Sequence, residues 1–144
     1  MKLTMQQITH GEEEVIVKYL EKTPEIERLV SLIRAEDRRL IGWQEKVQTV
    51  LEPGRILYFE SVDNRTFLYT SDEVMEIKHR LYELEVMLPP EDFFRISKAQ
   101  IVNINRVRML APGFNRTLFA TMTNGEQVYI SRKYAVDLRS ALSI

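Results

Sequence analysis

The spacing of hydrophobic positions along this 144-residue chain changes several times, and each change marks a different kind of element. β-Branched and aromatic residues crowd into residues 14–19 (EVIVKY), which predicts a short strand. Thr23-Pro24 then offers an N-cap followed by proline at the first helical position. Ile26, Leu29, Val30 and Ile33 recur at i, i+3, i+4 and i+7, so an amphipathic helix is expected from residue 24 to about 35. Its stripe can dock on the rest of the chain or on a second copy, intramolecular docking being the commoner case. The charge run EDRR at 36–39 reads as a solvated loop.

Beyond that loop the period is that of strands. Residues 40–44, 46–51, 56–62, 66–70 and 74–78 are β-rich runs, with Glu52-Pro53-Gly54 and Asp63-Asn64-Arg65 as turns. The joins are too short for parallel crossovers, so the pairing is expected to be antiparallel. Leu81, Leu84 and Leu88 predict a short helix that Pro89-Pro90 stops, with Glu83 and Glu85 on an exposed face. Strands follow at 101–104 and 107–110, then a turn at Ala111-Pro112-Gly113. Residues 117–122 and 127–130 flank Asn124-Gly125, a dipeptide suited to the positive φ angles of a type I′ hairpin. A last helix is expected from residue 132 to about 142, with Ser131 as N-cap and Tyr134, Leu138 and Leu142 on one side. The fold class is mainly β, of the α+β kind, with short helices.

Composition narrows the function. Hydrophobic residues at 44% and charged residues at 28% are those of a globular chain that buries a core. The absence of cysteine excludes disulfides, thiolate nucleophiles and thiolate metal sites. The first residues are polar and acidic where a signal peptide needs an apolar run, and no window offers the roughly 20 apolar residues of a membrane span, so a cytoplasmic location is expected. The sequence contains no GxxxxGK phosphate cradle, GxGxxG, HExxH or GxSxG motif, and its two histidines, His10 and His79, stand apart. His10 precedes Glu12, Glu13 and Glu14, a run more simply read as an exposed acidic loop than as a metal site. The expectation is no enzyme, no cofactor, no metal and no small-molecule substrate.

Charge is unevenly placed. Twenty Lys and Arg against 21 Asp and Glu give a net of −1, yet residues 91–144 hold 8 basic and 4 acidic side chains while residues 51–90 hold 4 and 8. Between Phe93 and Lys133 the only acid is Glu126, against seven cations. Several cations fall at connections: Arg65 at a turn, Lys98 after the Phe93-Phe94-Arg95-Ile96 run, Arg116 ahead of the hairpin, and Arg132 and Lys133 at the mouth of the last helix, where free N–H groups and the helix dipole favour phosphate. Arg106 and Arg108 flank Val107 and serve equally well as cover for the solvent side of a strand. With no helix-turn-helix, zinc-finger or zipper pattern, a DNA reader built on this chain has to use loops or strands.

The stretch PEDFFRISKAQIVNINRV, followed by NGEQVYISRKY, resembles the LytTR family of bacterial DNA-binding domains. Phe94, Arg95, Lys98, Val102, Asn103, Asn124, Gly125, Ser131 and Arg132 carry the likeness, and Ile56-Leu57-Tyr58-Phe59-Glu60-Ser61 is similar to the family's opening strand. The resemblance covers roughly residues 40–142; Ser97 stands where many members have His, and Ala99 where many have Ser. It implies antiparallel β-sheets of LytTR type in a DNA-binding unit over residues 39–144. A small strand-helix extension over residues 1–38 precedes that unit, as in stand-alone regulators without a receiver domain. The implied function is sequence-specific, double-stranded DNA binding by loops that enter successive major grooves of a direct repeat. Asn64, Arg65, Lys98 and Arg132 are expected to face DNA by that resemblance. Arg132 is the candidate for a guanine edge, Lys98 for a phosphate or mixed contact, and Arg95, Arg116 and Lys133 for phosphates. Stand-alone relatives also imply a membrane-protein antagonist as partner, and the helix at 24–35 is the candidate surface for a partner or a homodimer. For Asn103 a buried amide bonding backbone is at least as good a reading as a DNA contact. The rival reading is a protein-interaction or sensing module whose basic loops bind an acidic or membrane-protein partner. If Arg65, Lys98 and Arg132 do not converge on one side, the nucleic-acid reading fails.

Overall fold

A computed structural model describes residues 1–36 and 40–144. Of the run expected to form a loop at 36–39, Asp37, Arg38 and Arg39 lie outside the described residues. The elements are α1 (Pro24–Glu36), β1 (Ile41–Gln44), β2 (Val47–Val50), β3 (Tyr58–Val62), β4 (Arg65–Tyr69), β5 (Val74–Ile77), α2 (Leu81–Met87), β6 (Phe93–Ser97), β7 (Gln100–Asn103), β8 (Val107–Pro112), β9 (Leu118–Met122), β10 (Gln127–Ile130) and α3 (Arg132–Leu142). One sheet has seven strands in the order β2-β1-β5-β4-β3-β7-β6, and a second has three in the order β10-β9-β8. Every described pair is antiparallel, as the short joins require.

Alternation along β3 and β7 builds two cores from one sheet. Phe59 and Ile101, paired across the strands, point to the side covered by α2, where Leu68, Ile77, Leu81 and Leu84 join them. Tyr58 and Val102, the neighbouring pair, point to the other side, where Leu118, Ala120, Met122, Val128, Ile130, Ala135 and Leu138 close over them from the small sheet and α3. The layers run α2, large sheet, then small sheet with α3. Each fully buried Leu, Ile or Phe contributes roughly 1.5–3 kcal/mol to this assembly. Gly42 allows the close packing of β1 on β5, since a Cβ there would sit 2.7 Å from the Met75 sulfur.

Thr23 caps α1, its hydroxyl accepting the Ile26 N–H at 3.3 Å. The helix packs against α2, with the Arg28 guanidinium 5.4 Å from the centre of the Tyr82 ring. Docking is therefore intramolecular.

Several expectations need correction. Residues 14–19 form no strand: Val15, Ile16 and Tyr19 are exposed, and among the described residues neither sheet includes this segment. Residues 93–97, assigned no element from the sequence, are strand β6, made so by pairing with β7. β8 runs on through Ala111 and Pro112, which is tolerated because β8 is an edge strand. Asn124-Gly125 is not a type I′ pair. Thr123, Asn124 and Gly125 form a three-residue loop in which only Gly125 has positive φ, at 91°, closed by the Met122 N–H on the Glu126 carbonyl at 2.7 Å. Two other hairpins have consecutive left-handed residues, Asp63-Asn64 (φ 50° and 62°) and Asn115-Arg116 (φ 56° and 64°). Glu83 is buried and accepts the Arg80 N–H at 3.1 Å.

Candidate nucleic-acid interface

Strand register decides which loops share an end of the molecule. β3 and β4 meet at the Asp63-Asn64 turn, since Val62 pairs with Arg65. β6 and β7 meet at Lys98-Ala99, since Ser97 pairs with Gln100. The two hairpins are neighbours through β3 and β7, and the Ser61 N–H donates to the Ala99 carbonyl at 2.8 Å, so both turns project from the same end of the large sheet. The mouth of α3 is tied there as well: the Ser131 N–H donates to the Ile96 carbonyl at 3.1 Å, one residue short of that turn's flank. Ser131 holds the N-cap position, but its hydroxyl also turns to the Ile96 carbonyl, at 3.4 Å, and makes no cap bond. Its expected capping bond is thus replaced by an anchor to β6. The Asn115-Arg116 turn leads into β9, whose Leu118 pairs with Ile130, so Arg116 sits beside the same helix mouth. Asn64, Arg65, Lys98, Arg116, Arg132 and Lys133 are all exposed at this end. Arg106 is at the other end, donating to the Gly54 carbonyl at 2.8 Å.

Each cation is held differently. Arg65 opens β4 instead of lying in the turn, and its Nε and Nη2 grip the two Glu76 oxygens at 3.1 and 2.6 Å. That fork holds the Glu76 carboxyl below the ordinary carboxylate range and raises the Arg65 pKa further. Arg95 is the most engaged: Nε donates to the Ser97 carbonyl at 2.8 Å, Nη2 to the Lys98 carbonyl at 2.6 Å, and Nη1 to Glu85 on α2. A phosphate role was expected for this guanidinium, yet each of its three nitrogens already serves a protein oxygen. Ser97 accepts the Ala99 N–H at 3.2 Å and so closes the turn internally. Lys98, Arg116 and Arg132 point into solvent, and Lys133 Nζ lies 5.4 Å from the Tyr134 ring centre.

Asn103 is 2% exposed. Its amide donates to the Ile56 carbonyl at 2.9 Å and accepts the Asn105 N–H at 3.1 Å, which is the structural reading of that residue. Sequence reasoning overlooked Arg80. It stands at the N-cap of α2, on the same end, and its Nη1 reaches the Asn64 carbonyl at 3.4 Å. The available signal was the choice of arginine at a cap position that favours Ser, Thr, Asp or Asn.

Residues 46–143 match the family model of the LytTr DNA-binding domain. The chain is 30% identical over 105 residues to uncharacterized HTH-type transcriptional regulators of Staphylococcus aureus, covering 73% of this chain and 71% of theirs. It is 28% identical over 95 residues to the sensory transduction protein LytT of Bacillus subtilis, covering 66% of this chain and 39% of that protein. A solved LytTr DNA-binding domain from Bacillus cereus superposes with a TM-score of 0.71 at 26% identity, covering 74% of this chain and 99% of the other. No helix of the described residues is long and apolar enough to cross a membrane.

Proposed function

Because the chain belongs to the LytTr DNA-binding domain family, we propose that it is a sequence-specific transcriptional regulator whose loops enter successive major grooves of a direct repeat. The observation that carries this reading is the convergence of Asn64, Lys98 and Arg132 at one end of the sheet, through the Ser61–Ala99 and Ser131–Ile96 hydrogen bonds. Arg132 reads a guanine edge, a bidentate contact worth about 1–3 kcal/mol of discrimination. Lys98 and Asn64 reach bases or phosphates from their turns, and Arg116 and Lys133 neutralise phosphates around them. Arg65 keeps its pairing with Glu76 and contributes its exposed outer edge. The DNA-binding unit is residues 39–144. Residues 1–38 form the extension that a second copy or a membrane-protein antagonist engages, through exposed Val15, Ile16, Tyr19 and Leu20.

The test is selection of bound duplexes from a random pool, followed by a salt titration on the selected and a random duplex. Arg132→Ala is expected to lose preference for the selected repeat. Arg116→Ala is expected to weaken binding to both duplexes alike and to reduce the salt slope by about 0.9, the loss of one phosphate contact. If Arg132→Ala discriminates as well as the parent, that role is wrong.

A further inference from the structure

The acid Glu85 lies beside a surface assigned to a polyanion, where electrostatics alone would select against it. Its partner explains it. The Arg95 side chain is only 25% exposed, and beyond Glu85 it holds two successive carbonyls, those of Ser97 and Lys98, which fix the path of the chain just before the Lys98-Ala99 turn. A planar guanidinium with all three nitrogens donating is a rigid fork that a lysine cannot reproduce. The same helix braces the neighbouring turn, since Arg80 at its N-cap reaches the Asn64 carbonyl. Two guanidiniums anchored to the ends of one short helix thus bond the backbones of the two turns that project toward DNA.

We propose that Glu85 and Arg95 are positioning residues: Glu85 orients Arg95, Arg95 fixes the Lys98-Ala99 turn, and α2, with Arg80 on the other turn, sets the spacing at which the two loops meet adjacent bases. This rests on the DNA-binding reading above and adds a specificity-determining role for residues that touch no base.

Glu85→Gln separates this role from simple charge, because the two have opposite signs. Removing an acid from the rim of a DNA surface strengthens binding to every duplex if only charge matters. Loss of positioning instead lowers the ratio of selected-duplex to random-duplex affinity. The expected result is a fall in that ratio of about tenfold or more, the scale of one misplaced base-edge contact, with the salt slope on random duplex unchanged. Arg95→Lys, which keeps the charge and loses the fork, is expected to lower the ratio in the same way with the parent's salt slope. It also serves as the reporter should Glu85→Gln unfold at a lower temperature. If Glu85→Gln binds both duplexes more tightly with the ratio intact, or Arg95→Lys keeps the ratio, the positioning role is overturned while the DNA reading stands. If the parent enriches no sequence from the pool, both fall.

Discussion

Replacing Asn103 with alanine removes a side chain that serves two backbone groups on different segments. The Ile56 carbonyl, on a residue that is 0% exposed, loses its amide donor and is left without that bond inside the protein, at a cost of about 1–3 kcal/mol. The Asn105 N–H, in a half-buried setting, loses its acceptor at a further cost of roughly 0.5–1.5 kcal/mol. The expected destabilisation is about 2–4 kcal/mol, which for a urea slope of about 2 kcal/mol/M moves the midpoint down by roughly 1–2 M. Urea titration followed by the fluorescence of the single tryptophan, Trp43, and by circular dichroism measures it. Asn103→Asp sharpens the test, because it keeps an acceptor for Asn105 but sets a carboxylate against the Ile56 carbonyl. Burial and that repulsion raise its folded-state pKa above the unfolded value of about 4. The variant therefore gains stability as pH falls from 7 toward the unfolded pKa, where the protonated carboxyl can donate to Ile56. The reasoning is refuted if Asn103→Ala unfolds at the parent's midpoint yet loses DNA binding, which would make the residue a contact and not a strut.

The remaining expectations concern the two cores and one turn. Leu84→Ala empties a site that is 0% exposed beneath α2 and is expected to cost about 2–5 kcal/mol by urea titration. An unchanged midpoint would mean that α2 is not seated on the sheet. Burial, and then the 3.0 Å hydrogen bond to Glu126, raise the Tyr58 pKa, so the native state resists its ionisation. Stability is therefore full below pH about 10 and falls above it as the unfolded tyrosine ionises. Tyr58→Phe is expected to cost about 1 kcal/mol at neutral pH and to flatten that alkaline decline. Asn64→Val is expected to cost roughly 1–2 kcal/mol because φ is 62° there, whereas Asn64→Gly stays near the parent; equal stability of the two would remove the left-handed turn from the account.

Elements defined by local chemistry were legible in the sequence. Thr23-Pro24 announced α1 because a cap and a proline act on their own neighbours, and Pro89-Pro90 ended the leucine-spaced helix α2 for the same reason. Elements defined by a distant partner were not. EVIVKY has strand propensity but joins neither sheet among the described residues, while FFRIS lacks clear alternation and becomes β6 through β7. The Asn-Gly dipeptide fits loops of two or three residues, and the pairing of Thr121 with Gln127 selects three. At the interface, residue type and position between elements singled out Lys98, Arg116 and Arg132. Arg95 was legible as a cation, but nothing in its neighbourhood along the chain reveals that it donates to Glu85, ten residues earlier. Arg80 went unread because its importance comes from contact with a turn sixteen residues away.

β3 and β7 serve both cores at once, Tyr58 and Val102 on one side and Phe59 and Ile101 on the other. A common wall of this kind ties the melting of the two layers together, because neither can come apart without stripping a face from strands the other depends on. Heat or denaturant should consequently dissolve α2, α3 and both sheets in a single all-or-none step, with no half-molten regulator retaining one working loop.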